Sequence, residues 1–285
     1  MKKTFVLFAI LFGLSVATSA QVKKAPAPER QGWEDWYGDL YGDVESVTII
    51  NYKLEDRLGK WVKVIKDSVS YKFNLRGDVV EGAEYNSDGS LWAKDTYKYN
   101  SAGKMVERVS YDSDGSMYGK ETYEYDSAGN LVEQARYDSN GSLWAKDTYK
   151  YDSAGNKVEQ TSYDYDEEWK ETYKYDSAGN NVEWAYYNYE GSLESKHIYK
   201  YDSVGNMVEK ASYDYDGSLW MKHTYKYDSA GNMVEDARYN SDGSMEGKYT
   251  YKYDSAGNMV TETYYEYKFG TMTPAEQMEW EIVYR

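Results

Sequence analysis

From Tyr71 onward the chain repeats one unit. Copies begin at Tyr71, Tyr97, Tyr123, Tyr149, Tyr173, Tyr199, Tyr225 and Tyr251, spaced by 26 residues except for Tyr149–Thr172, which has 24. The letters YKYDSAGN stand unchanged at Tyr149, Tyr173, Tyr225 and Tyr251. Self-similarity at this period constrains the fold more than any local propensity, because each unit has to bury its face against a copy of itself.

Each unit reads as two strands and two turns. In the copy at Tyr97, SAGK (Ser101–Lys104) is a turn and Met105 to Tyr111 a strand. DSDGS (Asp112–Ser116) is a second turn, and Met117 to Tyr125 a second strand. Asp, Asn, Ser and Gly at these points are hairpin residues. Proline agrees: it occurs only at Pro26, Pro28 and Pro274, leaving the array free of a residue that cannot donate to a ladder. The short unit lacks two residues at its second turn, an even number that preserves which side chains face which way.

Strand parity divides the side chains. Leu143, Ala145, Tyr149 and Tyr151 share a face with Asp147 between them, and Trp144, Lys146, Thr148 and Lys150 form the other. In the shorter strand Ala135 and Tyr137 lie together, opposite Val132 and Arg136. One face is therefore expected to carry tyrosine ladders and the other mostly Lys and Thr, with an occasional Trp. The 35 tyrosines against five phenylalanines suit thin β structure, in which a ring is buried, its polar tip is kept for water and most side chains remain near solvent. About sixteen strands side by side extend roughly 75 Å, and sheets beyond about ten strands curl or close. The expectation is an all-β antiparallel meander forming one long, strongly curved or spiralling sheet, tyrosines inside the curve, with a closed barrel as the alternative.

The ends depart from the repeat. Lys2-Lys3, the apolar run Phe5–Val16 and small residues up to Ala20 read as a secretory signal over 1–20. Residues 21–31 are a linker by composition. Residues 32–70 form an N-terminal cap, with Val47–Tyr52 and Trp61–Ile65 as less regular strands, and the repeats run over 71–267. In the C-terminal cap, 268–285, Thr273-Pro274-Ala275-Glu276 has the form of a helix start. A final strand from Met278 to Tyr284 follows. Both caps are expected to shield sheet edges.

The sequence YKYDSAGNMVEDARYNSDGSMEGKYT (Tyr225–Thr250) resembles the YD repeat of Rhs-type proteins, with Tyr225, Tyr227, Asp228, Gly231 and Gly243 at the motif positions. The resemblance covers Tyr71 to Tyr267. It implies a spiralling β-sheet that encloses or displays other parts of a protein, and an association with carbohydrate binding. The Asp-Pro of the family's self-cleaving segment is absent, so the resemblance is to a short, free-standing array and not to a toxin container.

Charge and composition narrow the function. The formal charge is −16, and loss of Lys2 and Lys3 with the signal makes it −18. Such a surface repels phosphate backbones and anionic headgroups, which argues against nucleic acid as partner. The chain has no cysteine, hence no disulfide, thiolate metal site or thiol nucleophile. No second apolar stretch points to membrane insertion once the signal is removed.

No motif singles out one catalytic place, and carboxylates and serines recur in every unit, so no enzyme is expected. His197 and His223 occupy one slot of neighbouring repeats, where other units carry Asp, Glu or Tyr; this reads as a tolerant surface position without a metal. The Asp-x-Asp-Gly turns at Tyr111–Ser116 and Tyr213–Ser218, and their variants with Asn first at Tyr85–Ser90 and Tyr239–Ser244, read as hairpins, with weak calcium binding as the lesser alternative. The best ligand-binding candidates are Trp92, Tyr118, Trp144 and Trp220, in the slot after the second turn. Exposed aromatics at regular spacing stack on sugar rings. The expectation is an exported, non-enzymatic scaffold in the periplasm, at the cell surface or outside the cell. It recognises a glycan or cell-surface protein; the alternative is a purely structural envelope spacer or a protein–protein interaction repeat protein.

Overall fold

A computed structural model of the chain describes residues 40–164, 167–268 and 270–285. The expected signal and linker, and the cap up to residue 39, lie outside the described residues. Among the described residues every regular element is a strand: β1 (Val44–Asp56), β2 (Trp61–Phe73), β3 (Val79–Asn86), β4 (Leu91–Tyr99), β5 (Met105–Asp112), β6 (Met117–Tyr125), β7 (Leu131–Asp138), β8 (Leu143–Tyr151) and β9 (Lys157–Asp164) make the first half. The second half is β10 (Glu167–Tyr175), β11 (Asn181–Tyr187), β12 (Leu193–Tyr201), β13 (Met207–Asp214), β14 (Leu219–Tyr227), β15 (Met233–Asn240), β16 (Met245–Tyr253), β17 (Met259–Lys268) and β18 (Thr271–Tyr284).

Each strand pairs antiparallel with its neighbours in sequence, and β1 pairs with both β2 and β18. The meander is a closed barrel of 18 strands, so the curved open sheet gives way to its alternative. Closure at the β1–β18 seam, where Ile49 faces Trp280 and Val47 faces Ile282, leaves no edge to be capped. The terminal strands close the ring because they are long. β1 and β2 have 13 residues each and β18 has 14, longer than the fragments expected there. No helix forms at Thr273–Glu276. Pro274 stands opposite Tyr265 where the register slips between Tyr264 and Tyr265, and a bulge accommodates the missing N–H.

The turns explain the repeated letters. In the turn after β8, the Asp152 N–H donates to the Asn156 carbonyl (2.9 Å) and the Gly155 N–H to the Asp152 carbonyl (3.1 Å). The Asp152 carboxylate accepts from the backbone N–H of Ala154 (2.8 Å) and Asn156 (2.9 Å) and from the Asn156 side chain (2.9 Å). Gly155 has φ +86°, a conformation only glycine takes without strain. The second turns do not share this pattern throughout. In the short unit Asp164 pairs directly with Glu167 and the ladder runs on without a register shift, so removal of two residues deletes a bulge and keeps parity.

The inner face carries Tyr149, Tyr151, Asp147 and Ala145, as expected, but its partners from the short strands are Gln134 and Arg136. Tyr137 lies on the outer face with Ala135; Tyr137 stands opposite Lys120 and Ala135 opposite Lys146. The Lys120 ammonium sits 5.1 Å from the centre of the Tyr137 ring. Lysine and glutamate ladders run over this outer wall: Glu81 joins Lys72 (2.8 Å) to Lys94 (2.6 Å), and Glu235 joins Lys226 (2.6 Å) to Lys248 (2.8 Å). Such exposed pairs add little stability, but they make the wall hydrophilic.

Inside, one arc is apolar: Leu40, Val44, Val47, Ile49, Val69, Phe73, Val79 and Trp280 form the buried core. Elsewhere tyrosine takes its place. In the units after the first, whose corresponding residue is Phe73, the second tyrosine donates its hydroxyl to the first residue of a short strand in the preceding unit. Tyr125 bonds the Met105 carbonyl (2.8 Å), Tyr151 Leu131 (2.7 Å), Tyr201 Asn181 (2.7 Å) and Tyr227 Met207 (2.8 Å). Those carbonyls lie at the slips of ladder register, where a bulge disrupts pairing. A phenylalanine has no hydroxyl to offer there.

Candidate functional site

Because the meander is antiparallel, all second turns lie at one end of the barrel and all YKYDSAGN turns at the other. The end ringed by second turns gathers most of the exposed aromatic side chains: Trp92 (60% exposed), Tyr118 (75%), Tyr163, Tyr189, Tyr215 and Trp220 (44%). The four candidates from the sequence therefore share one mouth. The structure divides them. Tyr118 and Trp144 line one cavity of about 480 Å³ at the lip over β5–β8, and Trp92 and Trp220 stand outside it.

The cavity joins aromatic surface to a charged floor. Gly119 lets the β6 backbone pass close to β7, since a Cβ there would come within 3.2 Å of the Tyr137 carbonyl oxygen. Glu121 and Arg136 lie opposite one another on the inner face, and Lys120, Asp138, Ser110, Ser139 and Ser142 complete the polar lining. The Arg136 guanidinium holds the buried Asp147 carboxylate at 2.7 Å. Glu121 accepts from the Tyr123 hydroxyl (2.5 Å) and the Gln134 amide (3.1 Å). Burial, followed by the Glu121 charge, pushes the Tyr123 hydroxyl far above its usual range. The floor is thus held in place by neighbours from three strands, Tyr123, Gln134 and Asp147, and offers both donors and acceptors. Sequence reasoning missed Gly119, Glu121 and Arg136. The repeat gives little signal for them: the slot of Gly119 carries Ala93, Ala145, Trp169, Ser195 and Met221 in other units, but glycine again at Gly247.

The histidines are not surface positions. His197 is buried on the inner face, stacked on Trp184 with ring centres 4.5 Å apart, its Nδ1 2.7 Å from the Ser212 hydroxyl. Burial lowers its pKa to about 4, helped by Lys210 and His223. His223 Nδ1 lies 2.9 Å from Asp236. The slot tolerates Asp, Glu, His and Tyr because each finds a cross-strand partner, as Asp95 does in Arg108 (2.7 Å). Among the described residues no group of three or more His, Cys, Asp and Glu is arranged around a metal.

The Asp-x-Asp-Gly turns use their carboxylates internally. Asp88 accepts from the Ser90 N–H (2.9 Å) and hydroxyl (2.6 Å), and Asp114 from Ser116 in the same way (2.8 and 2.5 Å). The Ser116 hydroxyl bond holds the Asp114 pKa at about 2. These are the hairpins expected.

No family model matches the chain, and no curated protein matches it in sequence. Among solved structures it is similar to a porin-like protein from Bacteroides uniformis, 12% identical, with a TM-score of 0.46, covering 84% of this chain and 96% of that one. It is also similar to the Tc holotoxin pore of Photorhabdus luminescens (14% identical, TM-score 0.34, 79% of this chain and 14% of that chain). The TcdB2–TccC3 complex without its hypervariable C-terminal region gives 14% identity and a TM-score of 0.33, over 81% of this chain and 14% of that chain. The chain thus spans about a seventh of the Tc toxin chains it matches.

Proposed function

We propose that this is an exported, non-enzymatic barrel that binds a glycan at the lip of one mouth. The observation that carries the reading is the convergence of Tyr118 and Trp144, from adjacent units, on one cavity with Glu121, Arg136 and Asp138. Sugars are bound by aromatic rings that cover their C–H faces and by fixed polar groups that meet their hydroxyls, in clefts of about 300–1,000 Å³. The basic start, apolar run and small residues of the first 20 positions support export. The outer wall of Lys–Glu ladders lacks the apolar band that strands facing lipid require, which favours a barrel standing in water.

A glycan array probed with the full exported protein, with and without calcium, tests this. Binding is expected and is lost in Tyr118→Ala/Trp144→Ala, whereas Trp92→Ala leaves it unchanged. Silence on the array under both conditions, with the protein folded, would favour the structural reading. Loss of binding on calcium removal alone would move the site to the Asp-x-Asp-Gly turns.

A further inference from the structure

Three successive second turns break the repeat in one way. Ser87, Ser113, Ser139 and Ser241 hold the position after the Asp or Asn in four turns, and residues 165, 189 and 215 are tyrosine. The turn geometry does not ask for the change. In the serine turn after β7, the Asp138 N–H donates to the Ser142 carbonyl (3.0 Å) and Gly141 to the Asp138 carbonyl (3.0 Å). Around Tyr189 the corresponding bonds are Asn188 to Ser192 (3.0 Å) and Gly191 to Asn188 (2.9 Å), and around Tyr215 they are both 3.0 Å. Tyr189 is 68% exposed and Tyr215 72%. Where one backbone accepts serine, an exposed tyrosine ring has no structural role, and departures from a local rule without structural gain mark function.

The surroundings choose the partner. Glu190, Glu194, Asp214 and Asp216 flank the two rings, and no Lys or Arg occurs between Tyr187 and Ser195 or between Tyr213 and Met221. The nearest bases are engaged on the outer wall: Lys196 lies 6.0 Å from the Tyr213 ring centre, and Lys222 5.7 Å from that of Tyr239. A second copy of so acidic a chain, a nucleic acid or an anionic lipid is repelled here. A guanidinium or ammonium group finds a tyrosine face and a carboxylate together.

We propose that Tyr189 and Tyr215, with their flanking carboxylates, form a docking surface for a basic polypeptide segment. The β11–β12 and β13–β14 hairpins are two strands apart, about 10 Å, which is the rise of three residues of extended chain. The partner is a segment in polyproline II conformation, three residues per turn, with Arg or Lys at every third residue so that successive bases face the same side. This surface lies on a different arc of the mouth from the Tyr118/Trp144 cavity, and its test is independent of the glycan reading.

The test is fluorescence anisotropy with a labelled Gly/Ser peptide carrying arginine at every third position, against a peptide of equal composition with its arginines adjacent. The spaced peptide binds the full protein more tightly. Tyr189→Ser/Tyr215→Ser, which restores the residue of the other turns and so preserves the fold, weakens it by about tenfold through loss of two exposed cation–π contacts. Trp144→Ala leaves it unchanged. Equal affinity for the double variant and the parent, or for both peptides, would reduce the effect to general attraction by an acidic protein and overturn the proposal. So would absence of binding.

Discussion

Tyr151→Phe removes one hydroxyl from the lumen and nothing else. That hydroxyl donates to the Leu131 carbonyl at 2.7 Å, in the place where the β6–β7 register slips between Glu124 and Tyr125. A hydrogen bond of this kind contributes about 0.5–1.5 kcal/mol net, and a carbonyl left without its donor costs about 1–3 kcal/mol where water does not reach it. The site is half-buried, so some water will replace the hydroxyl, and the loss is expected at about 1–2 kcal/mol. Tyr125, Tyr175 and Tyr227 make the same bond at intervals of four strands, roughly 19 Å apart. Their Phe substitutions are expected to add, giving roughly 3–6 kcal/mol for the triple variant. Urea unfolding followed by circular dichroism measures both. Tyr163→Phe, on the exposed lip, serves as control and stays within about 0.5 kcal/mol of the parent. A Tyr151→Phe variant as stable as that control would refute the claim that the hydroxyls, and not the rings alone, explain the tyrosine of the repeat.

Three further outcomes follow from the same geometry. Glu262 sits on the inner face, where burial raises its pKa to about 7; the unfolded chain ionises first as pH rises, so stability is lost between about pH 4.5 and 7, and Glu262→Gln recovers about 2 kcal/mol at pH 8 and nothing at pH 4 by denaturant titration. His197, with its pKa lowered to about 4, has the opposite slope: the unfolded state gains its proton first as pH falls, so stability declines from about pH 6.5 to 4, and a His197→Gln variant shows a shallower decline over that window. Gly155→Ala places a side chain at φ +86° and is expected to cost about 1–2 kcal/mol in thermal unfolding, whereas Ala154→Ser beside it is near neutral.

Much of the fold was legible because the repeat fixes parity. The deletion in Tyr149–Thr172 left Glu171 and Tyr173 on the inner face, with the Tyr173 hydroxyl bonded to Glu171. Closure was harder to read. It depends on β1 finding β18 across the whole chain, and pairing between the irregular ends leaves no periodic trace. Pro274 misled for a related reason, since a helix start and a bulged strand look alike in four letters. The short-strand tyrosines were assigned no partners, because a bulge at each strand start displaces Tyr137 relative to Leu143 and composition does not register it. At the mouth, the aromatic row was readable from its spacing. Which of its members share a cavity was not, because that is set by Gly119 and by the cross-strand partners Glu121 and Arg136.

The ring of second turns exists only if the sheet closes, so the seam is the place to measure. The chain has no cysteine, and Thr48 and Glu281 are register partners across β1 and β18. Thr48→Cys/Glu281→Cys should form an intramolecular disulfide under mild oxidation, seen as a reducible mobility shift of the monomer. Thr48→Cys/Lys146→Cys, with its second cysteine on the outer wall of β8, should not. Failure of the seam pair to cross-link in folded protein, with the spacing of an open spiral between its ends, would contradict the barrel and the mouth built on it.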